Sequence, residues 1–342
     1  MNARMQFSDY IVSCALQLLN RCLLKVQDGP LAAHSATADV SDDLSGVEIG
    51  NDLKMLAGNA EKLLSMWQLV QWSVGKLRYR QSQKRLQEIL GLVAITAQPE
   101  VRGADQLLQI GDEKACKAIA KAVQVLAVGD TQPRFSQASY DRLNRLLQEE
   151  SASWRDYGPL RQIPDSEIIE YGMGRAYAKG RELLVALDGA GRGSRPAGRG
   201  SRPARRESRP PSLKRLRRAQ RWVCHTLNHL ELLRPALSES GKARRWHLER
   251  LSSKIDAQLE LECFSRAVAA MSLKVKTQQR LADLAEQRRK RINKQRHKLR
   301  IGAYTSTPET FVAEVQSAVA ELGLQTITLL QTQTKKDGLS GD

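Results

Sequence analysis

Cations stand at helical spacing in residues 212–235, SLKRLRRAQRWVCHTLNHLELLRP. The row consists of Lys214, Arg218, Arg221 and His225, which are spaced 4, 3 and 4 residues apart, and Arg217 lies beside them. This spacing puts the side chains on one face of an α-helix, where stacked like charges are destabilising unless they are screened or neutralised. A solvated charged face is one interpretation. The density of cations with no interleaved acid favours the other, a face that holds a polyanion.

Two short segments carry the formal net charge of +17. Residues 189–221 contain 12 Lys or Arg and one acid, and residues 286–300 contain eight and one acid. The remainder of the chain is therefore close to neutral. Focused basic patches require an anionic partner more than an evenly basic surface does.

The pattern of apolar residues predicts an all-α fold. Aromatic residues make up only 5% of the chain, and good helix formers such as Leu, Ala and Glu are abundant. Apolar residues recur every three or four positions in ten segments. The segments are residues 7–26, 50–74, 77–96, 112–127, 137–152, 165–187, 212–233, 240–271, 273–300 and 308–330. Asp165 and Ser166 are candidate caps of the sixth helix, and Pro308 suits the first turn of the last.

Residues 189–211, GAGRGSRPAGRGSRPARRESRPP, divide the chain. They repeat Gly-Arg-Gly-Ser-Arg-Pro-Ala and contain no apolar residue larger than Pro, so they cannot bury enough surface to offset the entropy of ordering. We predict a disordered basic linker between an N-terminal helical bundle, residues 1–188, and a C-terminal bundle, residues 212–330. We expect residues 331–342 to form a disordered tail.

The sequence gives no indication of an enzyme, a cofactor or a metal site. His225 and His229 have the i, i+4 spacing that can chelate a metal, but no third ligand is evident and the catalytic glutamate of zinc-protease helices is missing. No Gly-Lys-Ser or Gly-Lys-Thr phosphate loop occurs, and no nucleophilic triad is suggested. We therefore expect a binding protein.

The apolar and cysteine residues indicate a cytoplasmic protein without a membrane partner. No apolar run approaches the roughly 18 residues that a bilayer-spanning helix needs. The five cysteines are scattered through helical segments, as reduced core cysteines are.

Tryptophans close to arginines suggest a second class of ligand. Aromatic rings between cations can stack nucleic-acid bases. Trp67 and Trp72 lie in an apolar helical pattern and are predicted to be core residues, whereas Trp222 and Trp246 adjoin arginines. The Gly-Arg repeats of the linker also resemble disordered RNA-binding tracts. Nucleic acid is therefore the second candidate ligand.

The tract from Leu213 resembles a motif of the CHAD family, the conserved histidine α-helical domain of bacteria and archaea. The family motif runs leucine, histidine, two residues, arginine, lysine, two residues, lysine or arginine, two residues, arginine. In this chain the five motif positions after the leucine hold Lys214, Arg217, Arg218, Arg221 and Cys224. Residues 171–181 and 278–312 are also similar to helices of the family.

The resemblance implies two pseudo-symmetric antiparallel four-helix bundles whose basic helices bind inorganic polyphosphate, with location at polyphosphate granules. Besides Cys224, which replaces the last arginine of the motif, two departures are visible. Lysine replaces the signature histidine at position 214 and again at Lys54 in the first half. In that half, Ala57, Glu61 and Leu64 stand where the family places cations. The resemblance therefore supports the family's fold for this chain more strongly than it supports the family's ligand.

The helical face and the resemblance together assign polyanion binding to one set of residues. The set is Lys214, Arg217, Arg218, Arg221, His225, Arg175, Lys179, Arg181, Arg288, Arg289 and Lys54. Two alternatives stay open. One is an accessory protein that binds RNA or DNA through the linker and the C-terminal basic helix, and the other is a degenerate scaffold for a protein partner.

Overall fold

The computed structural model describes residues 6–28, 43–93, 99–108, 111–128, 136–156, 163–189 and 212–337. Regular structure in these ranges is helical, with no strand, so the all-α prediction is confirmed. The helices are α1 (Phe7–Asp28), α2 (Asp43–Val74), α3 (Lys76–Val93), α4 (Pro99–Leu108), α5 (Glu113–Val128), α6 (Gln137–Arg155), α7 (Asp165–Glu167), α8 (Arg175–Gly189), α9 (Leu213–Leu232), α10 (Glu239–Ala270), α11 (Val275–Ala303) and α12 (Pro308–Asp337). A π-helical segment, Ile168–Gly174, joins α7 to α8.

Over its described residues, each of the ten predicted segments coincides with helix, but α4 was not predicted. Its sequence, PEVRGADQLL, is short and has too few apolar residues to show a period. Gly103 allows α4 to pack closely on α10, because a methyl group at position 103 would collide with the Glu260 carbonyl of α10. Close helix packing, which periodicity does not report, therefore fixes α4.

Short polar side chains begin several helices by accepting hydrogen bonds from first-turn amides. Ser212 Oγ accepts from the Arg215 amide at 3.4 Å, and Ser238 Oγ accepts from the Gly241 amide at 3.3 Å. α12 begins at Pro308, as predicted. The predicted caps of the sixth helix are wrong. Its cap position is Pro164, and Asp165 instead accepts a hydrogen bond from the Phe7 amide at the start of α1.

The larger apolar core lies among α1, α2, α3, α6, the π segment, α8, α9, α10 and α12. Trp67 and Trp154 are fully buried in it, with ring centroids 4.3 Å apart. Both indole N–H groups donate to the buried Glu150 carboxylate, which also pairs with Arg85 at 3.0 Å. The acid is therefore satisfied by three donors in an otherwise apolar interior.

A smaller core is built by four helices, α4, α5, α11 and the C-terminal half of α10. Each helix contributes a buried apolar residue: Leu107 of α4, Ile119 of α5, Phe264 of α10 and Leu281 of α11. Both cores thus combine helices from either side of the predicted linker. Residues 190–211, which hold nearly all of that linker, lie outside the described ranges, so the division into residues 1–188 and 212–330 stays a prediction.

The C-terminal backbone is helical to Asp337, beyond residue 330, where we expected a disordered tail to begin. Residues 338–342 lie outside the described ranges. In the part of the chain that the structure describes, we find no helix with the length and apolar character required to cross a bilayer.

Candidate polyanion-binding surface

Helix α9 has one buried face and one basic face. Leu216, Val223 and Leu230 are fully buried at helical spacing, so the helix is fixed against the core. The cations lie on the opposite side of the helix and are exposed to solvent. The exposed cations are Lys214, Arg215, Arg217, Arg218 and Arg221, and we call this set the α9 strip.

The part of the chain that the structure describes does not neutralise the α9 strip. None of its five side chains makes an ion pair or a hydrogen bond with the described residues. Arg218 influences Glu182 of α8 electrostatically, but Lys179 already binds Glu182 at 2.6 Å. The strip therefore presents uncompensated positive charge on a rigid helix.

His225 lies on the inner side of the same helix and is not part of the strip. Its Nδ1 lies 2.9 Å from Ser65 Oγ on α2, and His229 Nε2 lies 2.9 Å from the Ser65 carbonyl oxygen. Burial, followed by the charges of His229 and Arg221, lowers the pKa of His225 to about 3. Burial likewise lowers the pKa of His229 to about 4. The structure therefore gives His225 a packing role as a neutral ring rather than contact with a surface ligand.

The basic segment of α11 is partly neutralised, since four of its eight cations, Arg289, Lys290, Arg296 and Arg300, have acidic partners. Arg289 pairs with Glu262 at 2.7 Å and with Glu286. Arg288 donates to Gln106 Oε1 of α4 at 2.8 Å. Of the two α11 arginines assigned to polyanion binding, one therefore already has carboxylate partners and the other joins α11 to α4.

Asp188, at the end of α8, binds three more basic residues of α11. Its carboxylate contacts Arg296 at 3.0 Å, Arg300 at 2.7 Å and His297 at 3.0 Å. Burial alone would raise the pKa of Asp188, but the hydrogen bonds from His297, Arg296 and Arg300 hold it below its usual value. The Arg296 side chain is only 3% exposed. We call this group the Asp188 cluster.

The three α8 cations assigned to polyanion binding have different surroundings. Lys179 is paired with Glu182, and Arg181 interacts electrostatically with Glu309 and Tyr177. Arg175 lies with its guanidinium 4.8 Å from the ring centroid of Trp72. Lys179 is linked to Arg218 of the α9 strip through Glu182, and Arg175 shares its electrostatic influence on Tyr79 with Arg221.

Lys54 is exposed on α2, but the structure separates it from the strip. Asn228 contacts Glu61 and His225 contacts Ser65, so α9 and α2 run antiparallel. The strip therefore extends from Ser65 in the direction of Trp72, whereas Lys54 lies in the opposite direction, about 16 Å before Ser65 along the helix. The lysine does not belong to the same surface.

An exposed aromatic group, which the sequence did not reveal, adjoins the strip. Trp72 is 58% exposed, so its prediction as a core residue is wrong, and Tyr171 is 51% exposed with its ring 6.3 Å from that of Trp72. Tyr79 is half-buried, and burial raises its pKa while Arg221 and Arg175 lower it. We call Trp72, Tyr171, Arg175 and Tyr79 the Trp72 platform.

The π segment sets the geometry of this platform. A methyl group at Gly172 would collide with the carbonyl and side chain of Leu69, so only glycine allows the segment to lie this close to α2. Tyr171 and Arg175, which flank the contact, are thereby brought onto Trp72. π-helical turns are rare and are often found at functional sites.

Comparisons with known proteins identify no relative of this chain. No family model matches it, and neither the curated proteins nor the solved structures contain a match. In the described ranges there is also no group of three or more His, Cys, Asp or Glu side chains that could hold a metal ion. The geometry of the chain itself therefore carries the functional argument.

Proposed function

We propose that this protein binds a phosphate polyanion, without catalysing a reaction, on the α9 strip. The observation that carries the proposal is the contrast in pairing. The basic residues of the Asp188 cluster and Arg289 have carboxylate partners, whereas the five cations of the strip have none in the described structure. A rigid row of unpaired cations lowers the entropy lost when a multivalent anion binds.

Inorganic polyphosphate is the ligand that the CHAD resemblance implies. The motif residues Lys214, Arg217, Arg218 and Arg221 are all exposed on one helix, which supports the proposal. Cations on a helix face stand about 5–6 Å apart, a spacing that a linear phosphate chain can follow. Arginine adds bidentate hydrogen bonds to phosphate oxygens.

Membership of the CHAD family, with its pair of symmetric four-helix bundles, is part of the proposal. The helical content on both sides of the linker supports it. Targeting to polyphosphate granules would follow from this ligand.

The decisive experiment measures affinity for polyphosphate as a function of salt concentration. The triple variant Arg217→Gln, Arg218→Gln, Arg221→Gln removes three charges from the strip. We expect its affinity to fall about a hundredfold, and the magnitude of the slope of log affinity against log salt to fall by roughly 2–3.

Two matched variants test where the specificity lies. Deleting residues 190–210 removes more charge than the triple variant does, but a flexible chain loses ordering entropy at each contact, so we expect a smaller loss of affinity. Replacing Lys294, Lys298 and Arg291 with Gln removes three exposed charges from α11 and should have a smaller effect still. A deletion that proves more damaging than the triple variant would show that binding belongs to the linker.

A further inference from the structure

The α9 strip runs past the Trp72 platform. Because α9 is antiparallel to α2 and His225 lies against Ser65, the strip begins at Arg221, about one turn from His225, and extends in the direction of Trp72. Arg221 and Arg175 both act electrostatically on Tyr79, and Arg175 covers part of Trp72. A ligand that follows the strip therefore passes exposed aromatic rings.

Polyphosphate has no group that would use such rings. Its oxygens are negative at all points, and the faces of aromatic rings carry negative electrostatic potential. A nucleic acid has the same repeated phosphate charge together with bases that stack on aromatic side chains. The exposed Trp72 ring gains a contact only from a ligand of the second kind.

The surroundings of Trp72 also resemble a preformed stacking site. Arg175 holds one side of the ring, with its guanidinium 4.8 Å from the centroid, while more than half of the side chain faces solvent. The guanidinium places a positive charge beside the exposed ring, which favours a phosphate close to the stacked base.

We propose that the α9 strip and the Trp72 platform together bind single-stranded nucleic acid, with the phosphates on the strip and a base stacked on Trp72. The inference rests on the proposed function, because it takes the strip as the phosphate-binding surface and adds the chemical class of its ligand. A duplex does not fit this arrangement, since its bases are stacked on one another and unavailable to Trp72.

The test compares three probes of matched phosphate number at one salt concentration: a single-stranded oligonucleotide of about ten nucleotides, the corresponding abasic oligomer, and inorganic polyphosphate. Trp72→Leu removes the aromatic face and keeps an apolar side chain. We expect it to weaken oligonucleotide binding about tenfold and to leave the other two affinities within about twofold. Trp72→Phe should retain most of the affinity, because it retains a ring.

The chain offers a matched control in Trp246. This side chain is 44% exposed and also carries an arginine over its ring, Arg250 at 4.2 Å. It lies at the other end of α9, because the neighbouring Arg245 pairs with Glu231 near the helix terminus. Trp246→Leu should leave all three affinities unchanged, and circular dichroism should show equal helix content in both leucine variants.

The possible results separate the two proposals. Equal affinities of Trp72→Leu and Trp246→Leu for the oligonucleotide would overturn the stacking proposal. A loss that Trp72→Leu shows equally with the abasic oligomer and polyphosphate would also overturn it, since the ring would then act only by positioning Arg175. If the triple arginine variant binds the abasic oligomer and polyphosphate as well as the wild type does, the proposed function fails, whatever Trp72→Leu shows.

Discussion

Helices α9 and α11 are both rich in Lys and Arg, but their cations meet different partners. On α11, Arg289, Arg296 and Arg300 contact acids of α8, α10 or α11 itself. On α9, the five cations of the strip face solvent with no described partner. A basic composition alone therefore does not determine the role of a cation. A cation that faces an acid stabilises the fold, whereas a cation without an acidic partner is available to a ligand. The comparison can be tested from either helix.

The largest expected effect is the loss of the Asp188 cluster. Asp188→Asn leaves the nearly buried Arg296 without its carboxylate, and removing one partner of a buried ion pair costs about 3–5 kcal/mol. We expect the free energy of unfolding, measured with urea, to fall by about 3 kcal/mol, since Gln258 still accepts from Arg296. Arg291→Gln, at an exposed position of α11, should change it by less than about 0.5 kcal/mol. A loss below about 1 kcal/mol in Asp188→Asn would mean that the α11 cations are no more structural than those of α9.

An intermediate effect distinguishes the two sides of α9. The pKa of His225 is about 3 in the folded protein and about 6.5 in the unfolded chain, so the unfolded chain binds more protons between these values and stability falls as pH drops below about 6.5. His225→Asn cannot lose stability in this way. The stability difference between wild type and variant should therefore be about 2 kcal/mol larger at about pH 7.5 than at about pH 5.

The comparison with a variant is needed because other buried groups titrate in the opposite direction. Burial raises the pKa of Glu61, and burial together with the charge of Glu61 raises the pKa of Asp256 to about 7. These acids add stability as the pH falls, in wild type and variant alike, so their contributions cancel in the difference. An equal stability difference at both pH values would show that His225 is not held neutral by its surroundings.

The smallest expected effect is a gain. The triple variant Arg217→Gln, Arg218→Gln, Arg221→Gln relieves repulsion between like charges on a helix, worth a few tenths of a kcal/mol for each pair. Without ligand, its free energy of unfolding should rise by up to about 0.5 kcal/mol at low salt, and the gain should shrink as salt screens the charges. A loss of more than about 1 kcal/mol would show that these arginines stabilise the fold, as the paired arginines of α11 do.

The sequence alone determined the all-α class, the ten predicted helical segments and the outward position of the α9 strip. Helical periodicity is a local property, so the apolar stripe of Leu216, Val223 and Leu230 is enough to predict which residues face away from the core. The same stripe does not reveal that His225 also lies inward, against Ser65, which is 160 residues away along the chain.

The tertiary structure alone decided which cations are neutralised and which groups surround the exposed Trp72 ring. Asp188 and Arg296 are 108 residues apart, and no local pattern relates them. Trp72 lies in the same apolar helix as the buried Trp67 but five residues later, which turns it away from the core face, and Arg175 and Tyr171 meet it there. Charge pairing and exposure depend on which distant helices pack together, and that packing is fixed by contacts such as Gly172 against Leu69, which have no signature in sequence periodicity.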